Sequence, residues 1–241
     1  MRKLSGMTFS SNQEARRWLP EFDSSGMAEI TIAHLLTHTS GLPAWLPLYA
    51  RARIAGEYLL RMRERGLDAR PGTRANYSCA GYIALGELLQ RASGAKLDAL
   101  SAEMVFRPLG LASTGFNPPS SWQSRVAATE DSCQHERKLA GSEIAGYKGY
   151  RSGVIRAQVH DQNAWVLGGV AGNAGLFSTA QETALIAAEF LGERGGGRGL
   201  LDSGSRDLAS CDLTPALVEA RSFAFRLALR GETAAGPDLP R

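Results

Sequence analysis

The apolar residues of this chain recur at helical intervals far more often than they alternate. A polar opening leads to Ala15-Arg16-Arg17-Trp18-Leu19, a short helix or turn stopped by Pro20. The dense run from Ile30 to Pro43 follows, with Thr31 suited to a helix N-cap and Gly41 to a C-cap. Ile54, Tyr58, Leu59 and Met62 predict an amphipathic helix over about 50–65, and Pro71-Gly72 then marks a turn that delivers Tyr77. Ile83, Leu85, Leu88 and Leu89 describe a helix from Ala80 closed by Ser93-Gly94, and the next, Leu97 to Phe106, is expected to end at Pro108.

From Asn117 to about Gln158 the periodicity fades, which predicts an irregular surface region. His160 to Gly169 suits a short helix, Gly172-Asn173-Ala174-Gly175 a tight loop, and Thr179 caps a helix through Phe190. Gly195-Gly196-Gly197 breaks the chain, an amphipathic stretch runs from about Thr214 to Leu229, and Ala234 to Pro240 looks like a loop. Strand signals are few, so the chain is expected to be mainly α.

Composition narrows the function classes more than it changes this outline. A chain of 241 residues suits one domain, or a large piece of one, with a real core. The 27 Lys and Arg against 24 Asp and Glu leave a net charge of +3, scattered along the chain, so no nucleic-acid partner is expected. The densest basic stretch, Arg51 to Arg65, reads as the solvated face of its helix. Cys79, Cys133 and Cys211 lie far apart in no metal-ligand spacing, and their odd number argues against a disulfide framework. Ser5, Gly6 and Thr8 interrupt any signal-peptide core, and no span reaches transmembrane length, so the chain as written is expected in the cytoplasm.

One run carries chemistry. Leu35-Leu36-Thr37-His38-Thr39-Ser40-Gly41-Leu42 resembles the signature of the serine β-lactamase-related family, which includes class C β-lactamases, low-molecular-mass penicillin-binding proteins and related esterases. Tyr77-Ser78-Cys79, running into Gly81-Tyr82-Ile83-Ala84-Leu85-Gly86-Glu87-Leu88-Leu89, agrees in order and spacing. So does Val159-His160-Asp161 through Gly168 to Ala180, which is similar to the penicillin-binding protein 4B-like branch. The resemblance spans about Trp18 to Arg226.

It implies a β-lactamase/transpeptidase-like α/β fold, of which this chain supplies the helical portion, with the central antiparallel sheet largely missing. Residues 1–241 then form a single incomplete domain, truncated at both ends. Family members use a Ser-x-x-Lys pair in which the lysine activates the serine, a Tyr-x-Asn motif that shares the proton transfer, and a Lys-Thr-Gly or His-Thr-Gly strand that helps form the oxyanion hole. Only the middle element is present. The one formal Ser-x-x-Lys, Ser93-Gly94-Ala95-Lys96, falls after the tyrosine motif at a helix end and reads as a cap and turn. No Lys-Thr-Gly or His-Thr-Gly follows Phe225.

By resemblance Tyr77 is the family tyrosine, a candidate catalytic residue whose hydroxyl works only if neighbouring cations lower its pKa. Cys79 takes the place of the motif's asparagine, and Asn173 that of the histidine in Gly-His-Ala-Gly-Leu-Phe-Ser-Thr. Both are candidate substrate-binding residues, though a thiol is a weak donor and an amide does not titrate. His34 and His38, four apart, have no third partner and read as packing residues, so no metal is expected. Adjacent His160 and Asp161 do not face each other, and Asp161 reads as an N-cap. No cofactor is implied.

The expected function is a fragment or degenerate member of the serine hydrolase family, inactive as given. An active β-lactamase, D,D-peptidase or esterase, and a pseudoenzyme acting as a binding module, are the alternatives. The resemblance implies a β-lactam, a peptidoglycan peptide or a small ester as ligand, and full-length relatives are often extracytoplasmic.

Overall fold

The computed structural model describes residues 10–24, 26–144, 146–192, 199–223 and 225–228. The glycine run 195–197 and the tail from Leu229 lie outside them, as does the chain before Ser10. In order come α1 (Ile32–Leu36), α2 (Ala55–Arg65), α3 (Cys79–Ser93), α4 (Leu97–Ser101), a π turn (Ala102–Phe106), α5 (Arg107–Leu109), β1 (Gly115–Phe116), β2 (Ala128–Asp131), α6 (Gln134–Ala140), β3 (Val154–Arg156), α7 (Gln162–Val166), β4 (Leu176–Phe177), α8 (Ala180–Leu191) and α9 (Ser203–Ser210). The strands form two antiparallel pairs, β1 with β4 and β2 with β3. The described residues are mainly helical, as the periodicity predicts, and among them no large sheet forms.

The helix starts follow their caps. Thr31 Oγ1 accepts from the His34 backbone N–H while His34 Nδ1 accepts from the Thr31 N–H, a reciprocal box with histidine in the usual place of glutamate. Ser78, Asp161 and Thr179 cap α3, α7 and α8, each with a side-chain oxygen on the third residue's N–H. Gly94, in the left-handed conformation, closes α3.

Several boundaries differ from the sequence expectation. α1 stops at Leu36, well short of Gly41, because Thr37 Oγ1 bonds back to the Ala33 carbonyl and His38 turns the chain at φ 58°. Gly41 is needed for another reason: at φ 76° a Cβ there would lie 2.0 Å from the Ala69 carbonyl oxygen. α2 begins at Ala55 rather than near Ala50, where Leu48–Ala50 form a separate 3-10 turn. The Glu57 carboxylate accepts from the Arg53 N–H ahead of α2, and Ile54 stays 62% exposed.

Pro108 does not end its helix; the chain widens into the π turn just before it and runs on to Leu109, closed by Gly110 at φ 72°. The region 117–158 holds β2, α6 and β3, fixed by long-range partners rather than local periodicity. The expected amphipathic helix from Thr214 is absent among the described residues. Thr214 Oγ1 there donates to the Glu219 carbonyl and accepts from the Arg221 N–H, holding a turn, and the helix forms earlier, as α9.

The main core gathers around α3. Ile83, Ala84 and Leu88 pack with Leu35 of α1, Tyr58, Leu59 and Met62 of α2, and Leu19, Phe22 and Ile30 ahead of them. Arg91 of α3 forms a two-pronged pair with Glu21, both contacts 2.8 Å, and a third contact of 2.7 Å with Glu87. By contrast α8 buries only Glu189 and leaves Leu185 and Leu191 37% and 69% exposed. Among the described residues no helix is long and apolar enough to cross a membrane.

One contact places the loop 168–175 against α3. A Cβ on Gly172 would lie 2.0 Å from the Tyr82 carbonyl oxygen, and one on Gly86 2.9 Å from the Gly172 nitrogen. Neither clash involves a side chain that can swing away. Gly172→Ala is therefore expected to destabilise the chain by about 1–3 kcal/mol. Urea unfolding measures this, and an unchanged midpoint would mean that loop and helix do not pack this closely.

Candidate active site

The signature segment acts as a bracket for Tyr77. After α1 the chain is buried from Thr37 to Pro43, and its polar groups grip the approach to α3 rather than water. The Asn76 N–H donates to the His38 carbonyl, the Ser78 N–H to His38 Nδ1 at 3.0 Å, and the Cys79 N–H to the Ala44 carbonyl at 2.8 Å. Ser78 Oγ donates to the Pro43 carbonyl at 2.7 Å while capping α3. The His38 ring stacks on Tyr82 at 4.5 Å and lies 4.7 Å from Tyr77. His34 and His38 thus each spend Nδ1 on a backbone N–H, and no group of potential metal ligands occurs among the described residues.

Tyr77 is 57% exposed, presenting its ring to solvent at the end of this bracket. Cys79, the first residue of α3, sets its thiol near the Tyr77 hydroxyl and the Asn173 amide, close enough for both to act on its ionisation. Asn173 is delivered by the loop that Gly172 seats on α3, and its Nδ2 donates to Asp161 Oδ2 at 3.1 Å. Its Oδ1 is buried with no hydrogen-bond partner. Asp161 uses its other oxygen on the Ala164 N–H at 2.7 Å, so it is the N-cap of α7 and the anchor of Asn173 together. His160 is exposed beside it.

The three sequence candidates Tyr77, Cys79 and Asn173 therefore meet in one place. Arg221 was not among them, because no local motif marks a residue brought back from far along the chain. It lies 8% exposed near His38, Tyr77 and Tyr82, and pairs with Glu219.

Electrostatics decide what these groups can do. Burial pushes the Tyr77 phenol above its ordinary pKa, the neighbouring Cys79 adds to this, and the Arg221 charge opposes it without prevailing. Burial likewise raises the Cys79 thiol, and the Asp161 carboxylate adds to it. At neutral pH Tyr77, Cys79 and Asn173 thus present a phenol, a thiol and an amide, all uncharged hydrogen-bonding groups. The formal pair Ser93 and Lys96 stands elsewhere, with Ser93 Oγ donating back to the Leu89 carbonyl at 2.7 Å and Lys96 exposed ahead of α4.

Comparison with known proteins identifies the family. Residues 2–223 match the family model described as Beta-lactamase. A protein of Escherichia coli (strain K12) named "Putative D-alanyl-D-alanine carboxypeptidase" is 32% identical over 203 residues, covering 76% of this chain and 44% of its own length. One of the same name from Salmonella agona is 30% identical over 205 residues, covering 78% and 46%. The chain spans less than half the length of these relatives.

Among solved structures, a class C beta lactamase from Rhodobacter sphaeroides aligns at TM-score 0.61 and 18% identity, over 89% of this chain and 53% of that one. The octameric penicillin-binding protein homologue from Pyrococcus abyssi aligns at 0.60 and 18%, over 89% and 47%. These two share the fold, and the family match extends across nearly the whole described structure. The chain belongs to the beta-lactamase family.

Proposed function

We propose that these 241 residues form the helical half of a family-type serine hydrolase site and do not by themselves carry out acyl transfer. The observation that carries this reading is the chemistry around Tyr77: a protonated phenol beside a thiol, an amide and an arginine, while Ser78 of the tyrosine motif and Ser93 of the formal Ser-x-x-Lys donate to backbone carbonyls and no serine among the described residues donates its hydroxyl to a lysine or histidine. A serine hydroxyl is a weak nucleophile until a nearby group takes its proton, and losing such a pair removes several orders of magnitude in rate. Arg221 cannot serve as the missing base, since a guanidinium does not give up its proton in proteins.

What the site retains is recognition. The exposed Tyr77 and its neighbours support non-covalent contact with the carbonyl or carboxylate of a β-lactam, a peptidoglycan stem peptide or a small ester, the ligands the family resemblance implies. The test is incubation with a chromogenic cephalosporin, a nitrophenyl ester and a fluorophosphonate probe. The expected result is no turnover above the protein-free rate and no added mass. Stoichiometric labelling of one serine, abolished together with turnover when that serine becomes alanine, would overturn the proposal.

A further inference from the structure

A cavity of about 510 Å³ opens between the β1–β4 pair and the segment that leads into β2. It shares no lining residue with the Tyr77 cluster. Its volume lies in the range of small-molecule sites. Three aromatic rings, Phe116, Trp122 and Phe177, form its walls together with Pro118, Pro119 and Val126.

The walls are held from outside by contacts a ligand need not break. Asn117, in the left-handed conformation, donates from Nδ2 to the Gly168 carbonyl at 2.8 Å. Arg156 donates to the Val126 carbonyl, and Thr129 Oγ1 donates to the carbonyls of Ile155 and Gln158. The hydroxyls of Thr114 and Ser178 bond each other, and Thr179 caps α8. Pro118 and Pro119 fix the backbone at the rim. The cavity is therefore shaped before anything enters it, which lowers the ordering cost of binding.

One charged group lines it. The Arg125 guanidinium lies 5.9 Å from the centroid of the Trp122 ring, and among the described residues no carboxylate pairs with it. An arginine over an aromatic face keeps its outward N–H groups free to hold a carboxylate as a fork.

We infer that this cavity is a binding site for a small aromatic carboxylate, with its ring among Phe116, Trp122 and Phe177 and its anionic head on Arg125. The inference is independent of acylation at the Tyr77 cluster, and its test reads binding alone. The Trp122 indole N–H resonance, assigned by its loss in Trp122→Phe, is followed during titration with phenylacetate and with the uncharged phenylacetamide. Phenylacetate is expected to shift that resonance saturably and to bind at least tenfold more tightly than the amide. Arg125→Gln, at an exposed position, should erase the difference, and Arg125→Lys should restore part of it. No saturable shift with phenylacetate would overturn the inference. So would equal affinities for acid and amide, or an acid preference that survives in Arg125→Gln.

Discussion

Lowering the pH from 7 to 4 is expected to cost the folded chain about 3 kcal/mol at His38 alone. Burial, with the Arg221 charge adding to it, depresses the His38 pKa from 6.5 to about 4. The group is 7% exposed, so solvent screens little of this. The unfolded chain takes up a proton near pH 6.5 that the folded chain refuses until about pH 4. The stabilising contribution of neutral His38 is therefore whole above pH 6.5 and is lost as the pH falls toward 4.

The structural cost is specific, because a protonated Nδ1 cannot accept the Ser78 N–H, and that bond ties the bracket to the start of α3. His34 is shifted in the same direction, again mainly by burial, so it adds to the same slope. His38→Asn isolates the effect, since asparagine keeps an acceptor, tolerates the positive φ of this position and does not titrate. Urea unfolding should find it somewhat less stable than the parent at pH 7.5, with the difference moving about 3 kcal/mol in the variant's favour by pH 4. Parallel pH profiles for the two proteins would show that His38 keeps an ordinary pKa.

How far the sequence revealed this site depended on how local each signal was. The N-cap residues Thr31, Asp161 and Thr179 act within one turn of themselves, so they could be placed from neighbouring residues alone. Tyr77, Cys79 and Asn173 were found through motif spacing, and the structure brings them together. Arg221 was missed because its place beside His38 and Tyr77 comes from a tertiary contact far along the chain. The same cause explains α6: Gln134–Ala140 has little apolar periodicity, yet it forms because Glu136 reaches the Gln162 N–H. The Thr214 stretch errs in the opposite direction. Its apolar pattern suits a helix, but the threonine hydroxyl satisfies backbone groups in a turn instead.

Glu136→Gln is expected to leave stability nearly unchanged near pH 4.5 and to raise it by about 3 kcal/mol above pH 7. Glu136 is 2% exposed, and burial pushes its carboxyl up from 4.5 to about 7, with the charges of Asp161 and Glu130 adding to the rise. The Gln162 N–H, which donates to Oε1 at 3.0 Å, and the Arg151 guanidinium oppose it. Here the sign is the reverse of His38: the contribution is fully present below pH 4.5 and disappears as the pH rises through 7. Above that pH the folded chain holds a buried carboxylate whose Oε2 has no hydrogen-bond partner. Glutamine keeps an acceptor for Gln162 and carries no charge at any pH, so it removes the alkaline penalty without unmaking the contact. Between pH 4.5 and 6.5 Glu136 gains stability on acidification while His38 loses it, and each masks the other in the parent protein. The Glu136→Gln variant should therefore show a steep acid loss that the parent conceals. A difference between the two proteins that stays constant from pH 4.5 to 8 would mean that Glu136 ionises as a solvent-exposed carboxylate does.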